Sequence, residues 1–265
     1  MATEHMEEGV EHAEGVEHAE GHGGGHSPME QFTIKPLIPI HIGKYDLSYT
    51  NSSMFMTLAV LLTALLFGLS TKKRTLVPSR WQSISELMYE FVAGMVKDNT
   101  GKEGMKYFPF VFTLFLFILF GNFLGLLPYG FTFTSHIVVT ATMAVVVFVG
   151  VTVIGFARHG LHFFSLFVPP GAPLGIAIVL APLEFFSYLI RPVSLSLRLF
   201  ANMLAGHVLL KVLAGFIITL GIFFGWVPFL AVFGITMLEL MVAAIQAYVF
   251  ALLTCLYLND AIHLH

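Results

Sequence analysis

Charge is what this chain of 265 residues has least of: Asp, Glu, Lys and Arg together make up 11% of it. A soluble domain carries about a quarter. With 57% hydrophobic residues and a mean hydropathy of +0.83, a soluble globular domain is excluded and the chain belongs in lipid. Cysteine is nearly absent. Cys255 stands alone among Leu, Thr and Tyr, which rules out a disulfide framework or a multi-Cys metal site and leaves apolar filling as its reading. Basic residues are missing altogether from residues 1–30, which hold eight Glu and five His (His5, His12, His18, His22, His26). Without a basic n-region and an apolar core, this segment is not a secretory signal, and cleavage is not expected. The formal net charge of −3 averages two unlike parts, because the remaining residues hold 13 basic and eight acidic side chains, or +5.

What is present begins with a tail. Residues 1–30 repeat "GVEHAE" twice and then read "GHGGGH", with almost no large apolar side chains. Such a segment cannot bury enough surface to offset the entropy of ordering it, so a disordered, solvated acidic tail is expected rather than a His-rich metal site. Residues 31–265 read as a single membrane domain. A Pro- and Gly-punctuated loop leads into a first span over residues 49–70, long enough for a hydrocarbon core of roughly 30 Å. Lys72, Lys73 and Arg74 follow at once. Over residues 79–98, Trp81, Ile84, Met88, Phe91, Val92 and Met95 recur at steps of three and four, while Ser79 and Gln82 have capping-box spacing. The pattern predicts an amphipathic helix, on the membrane surface or packed on a partner. Spans over 107–127 and 136–157, joined by a short loop with Pro128, Tyr129 and Gly130, predict an antiparallel hairpin. Lys97, Lys102, Lys106, Arg158 and His159 then share a side with residues 72–74, which the positive-inside rule makes cytoplasmic; the tail falls outside.

The second half resists division into 20-residue spans. After Pro169 and Pro170 an apolar run extends over 172–225, interrupted by Glu184, Arg191, Arg198, His207 and Lys211, and another over 227–258 contains Glu239 and Gln246. Both exceed a perpendicular crossing, so a hairpin of two long, tilted helices is expected. Ionisable groups inside such runs mark functional sites by default, since an arginine there costs roughly 2.5–3.5 kcal/mol. Its guanidinium cannot escape by losing its proton. At about 100° per residue, Glu184, Arg191, Arg198 and Asn202 lie within roughly 40° of one line, with His207 on the opposite side about 13 Å further on. Glu239, Gln246 and Tyr257 share a face of the last helix. Acids and an imidazole in narrow wet passages, with one fixed positive charge, suit proton transfer.

These residues carry a family resemblance. "PVSLSLRLFANMLAGH" (192–207) and "QAYVFALLTCLYL" (246–258) closely resemble subunit a of the F-type ATP synthase membrane sector, and "GNFLGLLP" (121–128) is similar to that family's Asn-x-x-x-Leu-Leu-Pro segment. The resemblance covers about residues 45–260. It implies an all-α polytopic membrane protein: one outer transmembrane helix, an amphipathic surface helix, a transmembrane hairpin and a hairpin of two long membrane-embedded helices. It implies that Arg198 is the essential arginine facing a ring of c subunits, with Asn202 and Gln246 near it, and that Glu184, His207 and Glu239 occupy half-channel positions. Many bacterial relatives carry Glu where this chain has His207 and His where it has Glu239; the exchange resembles mitochondrial and alphaproteobacterial members. Gly125 replaces a carboxylate found in some relatives and is given no proton role. The expected partners are the c-ring, b-type peripheral-stalk subunits, the ATPase head through the complex, and lipid, but not nucleic acid; no cofactor or metal is expected. The expected location is a bacterial inner membrane, with the N-terminus periplasmic and the C-terminus cytoplasmic.

Competing expectations belong beside these. A secondary transporter also uses intramembrane Arg, His and Glu, but it would usually carry matched internal repeats, and the segment around Arg198 has no second copy. A His-tailed metal importer would need ligands within the spans, where His136 and His207 are a thin set. Arg191 and Lys211 are expected to snorkel to lipid headgroups. The GxxxG spacings at Gly121/Gly125 and Gly221/Gly225 are expected to serve close helix packing, and Tyr248 and Tyr257 to be packing residues. The last hairpin is expected to turn near residues 226–228. That would leave His207 and Glu239 about 12 Å apart in level, too far for a direct hydrogen bond.

Overall fold

The computed structural model describes residues 34, 36–39, 41–42, 45–46, 48–72, 79–127, 130–167 and 174–263. The acidic tail and Lys73, Arg74, Pro128, Tyr129, Pro169 and Pro170 lie outside the described residues. Two short antiparallel pairs come first, Pro36–Ile38 with Tyr49–Thr50 and His41–Ile42 with Tyr45–Asp46. Six α-helices follow among the described residues: α1 (Asn51–Lys72), α2 (Arg80–Gly104), α3 (Phe108–Gly125), α4 (Ile137–His159), α5 (Leu174–Phe224) and α6 (Trp226–Ile262). The segments Asn51–Ser70, Arg80–Gly125, Ile137–Phe164, Ile178–Gly221 and Trp226–Ile262 are each long and apolar enough to cross a membrane. The chain is an all-α polytopic membrane protein.

Local chemistry starts and stops the helices. Thr50 Oγ1 accepts from the Ser53 amide at the head of α1, and Ser79 Oγ accepts from the Gln82 amide at the head of α2, each satisfying an amide that has no intrahelical partner. The Gln82 side chain donates to Glu86 Oε1 at 2.8 Å. Pro109 opens α3, where its missing N–H costs nothing. Gly160, at φ 56°, closes α4 just after Arg158 and His159.

α6 is the central helix, packing against α2, α3, α4 and α5. Ala243, Ala247 and Ala251 repeat every four residues along it and are fully buried, and small side chains let helix backbones approach closely. Val92 and Val96 of α2, Val111 and Ile118 of α3, and Leu199 and Met203 of α5 fill the core around that stripe.

The predicted apolar stripe of α2 is partly buried and partly exposed: Val92 and Met95 are buried together with Ser85 and Val96, while Trp81, Ile84 and Phe91 are exposed, on a surface open to lipid or a partner. One sequence expectation is corrected here. The last hairpin reverses earlier than residues 226–228. Gly221 has φ 64° and ψ −165°, a conformation essentially restricted to glycine. Helical hydrogen bonding resumes at once, from the Gly225 amide to the Gly221 carbonyl at 2.8 Å. Gly221 is therefore the pivot rather than one half of a helix-packing pair.

Candidate proton-path site

With the reversal at Gly221, His207 stands 14 residues before the pivot and Glu239 18 after it, a mismatch of roughly 6 Å along straight helices. Side chains can span that. The structure brings His207 Nδ1 to 3.6 Å from Glu239 Oε1, with the two side chains only 7% and 3% exposed. The expected 12 Å difference in level is thus overturned by the position of the turn, although 3.6 Å remains beyond hydrogen-bond length. Gly206 makes the approach possible: a Cβ at that position would stand 2.5 Å from Glu239 Oε1. Both Glu239 carboxyl oxygens are buried with no hydrogen-bond partner among the described residues. Buried polar atoms are usually bonded, so a carboxyl with both oxygens unpaired among the described residues stands out.

On its other nitrogen the imidazole meets Thr132, whose Oγ1 lies 2.7 Å from His207 Nε2. Thr132 precedes a single 3-10 turn, Phe133–Ser135, set between α3 and α4. Thr134 Oγ1 donates to Asn122 Oδ1 at 2.8 Å, and Asn122 Nδ2 donates to the Ala243 carbonyl of α6 at 3.2 Å. Thr132, Thr134 and Asn122 are all buried, so the turn is stitched to α3, α5 and α6 by polar groups inside an apolar body. Gly121 and Gly125 make room for it, since a Cβ at either would run into Phe133 or Thr132, respectively. Their spacing serves this turn rather than a second helix.

The remaining site residues fall elsewhere on the α5–α6 hairpin. Asn202 Nδ2 donates to Gln246 Oε1 at 3.0 Å, joining the two helices. Gln246 is buried and Asn202 exposed; Glu184 is half-buried. Arg198 is exposed, and among the described residues it has no hydrogen-bond or ion-pair partner. One turn to either side of it on α5 stand Ser194 and Asn202, both exposed as well. The structure thus brings together His207 with Glu239 and Asn202 with Gln246, and it leaves Arg198 facing outward.

Arg191, on the same line, behaves differently and corrects another expectation. Its Nη1 lies 2.7 Å from Asp260 Oδ2 near the end of α6, and its guanidinium sits over the Tyr188 and Tyr257 rings at 5.7 and 5.3 Å. Tyr188 in turn bonds Thr152 of α4 at 2.7 Å. A short ion pair with two ring faces outcompetes a headgroup, so Arg191 ties α5 to α6 and does not snorkel. Sequence reasoning missed Thr132 and Thr134 as site residues; isolated threonines in a loop have no periodicity to expose them. Asn122 was visible only as part of the "GNFLGLLP" resemblance.

A polytopic helical membrane protein whose last hairpin carries a buried histidine beside a buried glutamate, and an exposed arginine, has the make-up of an ion-translocating subunit. Comparison with known proteins supplies the family. The sequence profile described as "ATP synthase A chain" matches residues 52–259. ATP synthase subunit a of Rhodospirillum rubrum is 61% identical over 240 residues, which cover 91% of this chain and 100% of the relative. Those of Paramagnetospirillum magneticum and Mesorhizobium japonicum are 56% and 53% identical, covering 90% and 89% of this chain and 99% and 96% of the relatives. The chain belongs to the ATP synthase subunit a family, and as a member it is a multi-pass membrane protein of ATP synthesis and proton transport, one subunit of a larger complex.

Proposed function

We propose that the chain is the proton-translocating stator subunit of an F-type ATP synthase, forming two aqueous half-channels against a rotating ring of c subunits, with Arg198 between them. The observation that carries this is the arginine itself: a permanent cation, exposed on a helix long and apolar enough to cross a membrane, with no hydrogen-bond or ion-pair partner among the described residues. A charge in that position costs several kcal/mol unless a carboxylate from another subunit meets it. A proton enters from the outer side, passes His207 and Glu239, and neutralises a carboxyl on the ring. The neutral carboxyl can then travel through lipid, where the charged form would be expelled. After nearly a full turn it releases its proton into the second passage, which opens to the cytoplasm, and Glu184 lies toward an aqueous mouth. Arg198 stabilises the deprotonated carboxylate and repels a proton that would cross directly. Asn202 and Gln246, bonded to each other, brace the helices on either side of it.

The N-terminus is placed in the periplasm and the C-terminus in the cytoplasm of a bacterial inner membrane. Supporting this, Glu103 at the end of α2 pairs with Arg158 at the end of α4 at 2.6 Å, and His159 Nε2 lies 3.2 Å from the carbonyl of Ile262 at the end of α6. These helix ends therefore meet on the side that carries most of the basic residues, as the positive-inside rule requires. The b-type stalk subunits and the ATPase head complete the assembly. Affinity purification of the chain from its native membrane tests the reading. It should bring down an ATPase head and a ring of small subunits, whereas purification without either would refute it.

A further inference from the structure

We propose that Thr132 is a positioning residue of the proton path, holding the His207 imidazole by Nε2 so that Nδ1 faces the Glu239 carboxyl. This rests on the reading of His207 and Glu239 as proton carriers. The geometry is a buried file of three groups from three parts of the fold: the Thr132 hydroxyl at 2.7 Å from Nε2 and the Glu239 carboxyl at 3.6 Å from Nδ1. Thr132 is only 2% exposed and His207 6%, so water does not readily replace the hydroxyl.

The chemistry explains why a hydroxyl suits this place. A hydroxyl both donates and accepts. When Nε2 is bare, the threonine donates to it and Nδ1–H points at Glu239. When Nε2 carries its proton, the threonine accepts and Nδ1 is free to take a proton from the carboxyl. In the imidazolium both nitrogens donate, one to each neighbour. Rotation of one O–H bond therefore keeps Nε2 bonded in every state that His207 visits, and the ring need not turn. An amide or a carbonyl at this position would favour one state over the others.

The surrounding structure is arranged to hold that hydroxyl still. A Cβ at Gly125 would overlap Thr132, with Thr132 Cγ2 at 2.8 Å, so the glycine is what lets the turn seat so deeply. Ser135 Oγ donates to the Thr132 carbonyl at 2.6 Å, and Thr134 anchors the same turn to Asn122. Glu239 on α6 and Lys211 one turn further along α5 are titratable or charged groups that face His207. His136 closes the turn that carries Thr132 and stacks on Phe131 with centroids 5.1 Å apart.

The test uses the whole complex reconstituted in vesicles, comparing passive proton flux at a series of outer pH values for Thr132→Val, Thr132→Ser and His207→Gln. Valine keeps the shape and removes the hydroxyl. It should cut flux about tenfold, since a bond to a charged group is lost, and it should move half-maximal flux to more acid pH, because the imidazolium loses its acceptor. Serine should recover most of the flux and the original profile. Valine at full flux, serine as poor as valine, or a uniform drop without a shift would each overturn the positioning role while leaving the path intact if His207→Gln is blocked. Full flux in His207→Gln would overturn the path and this role with it. Should Thr132→Val fail to assemble, Gly125→Ala carries the test: it keeps the hydroxyl but displaces it, and an unshifted profile there overturns the proposal.

Discussion

At the scale of single residues, the account turns on His207 and Glu239, which sit in contact on facing helices. Groups this close should couple, so substitutions there should not add. His207→Glu alone places two carboxyls side by side, and proton flux should fall by about tenfold or more as their like charges oppose joint ionisation. Adding Glu239→His restores one acid and one imidazole and should recover part of the flux, measured as ATP-driven acidification of vesicles. A double variant no better than the worse single one would show that the two sites do not share a path. The residue types were legible in the sequence, because an ionisable group in an apolar run is conspicuous. Their contact was not, since it depends on where the chain reverses. Nor was the threonine that completes the file, because a hydroxyl costs too little in a loop to stand out.

At the scale of elements, Gly221 sets the level of every pairing between α5 and α6. Its φ of 64° and ψ of −165° suit no other residue, so Gly221→Ala should cost about 1–3 kcal/mol. The strain can be relieved only by shifting the pivot, which would move Glu239 along His207. Lower thermal stability of the complex together with reduced flux is expected; wild-type values for both would remove Gly221 as the pivot. At the other end of the hairpin, Arg191 and Asp260 are each about a third exposed, so their pair should contribute only about 1 kcal/mol. Arg191→Ala should lower the melting temperature slightly without opening a proton leak, in contrast to Arg198. A leak in Arg191→Ala would place it in the barrier. The all-helical, membrane-spanning character was readable from the apolar runs, and the start of α2 from the cap at Ser79. Which part of the α2 stripe is buried was not, because Trp81, Phe91, Val92 and Met95 are all apolar, and only contact with α6 and α3 chooses among them.

At the scale of the whole molecule, residues 1–30 hold eight Glu and no Lys or Arg, whereas the remaining residues hold 13 basic and eight acidic side chains. A segment with almost no large apolar side chains has little to bury, so deletion of residues 4–26 should leave assembly and ATP synthesis nearly intact. Normal expression with a large loss of coupling would instead give the His/Glu tract a role of its own. Inside the membrane body, Arg191 has Asp260 and two tyrosines, and Arg158 has Glu103. Arg198 has no such partner among the described residues and faces outward. Arg198 is thus the arginine of α5 whose charge is left unmatched among the described residues. Replacing Arg198 by Lys should not sustain synthesis, because a buried ammonium can give up its proton where a guanidinium cannot. The most direct measurement is proton movement in vesicles carrying Arg198→Ala complexes. The account predicts that ATP addition no longer acidifies them and that an imposed pH gradient decays faster than in vesicles with the unaltered protein; vesicles that still acidify on ATP would contradict it.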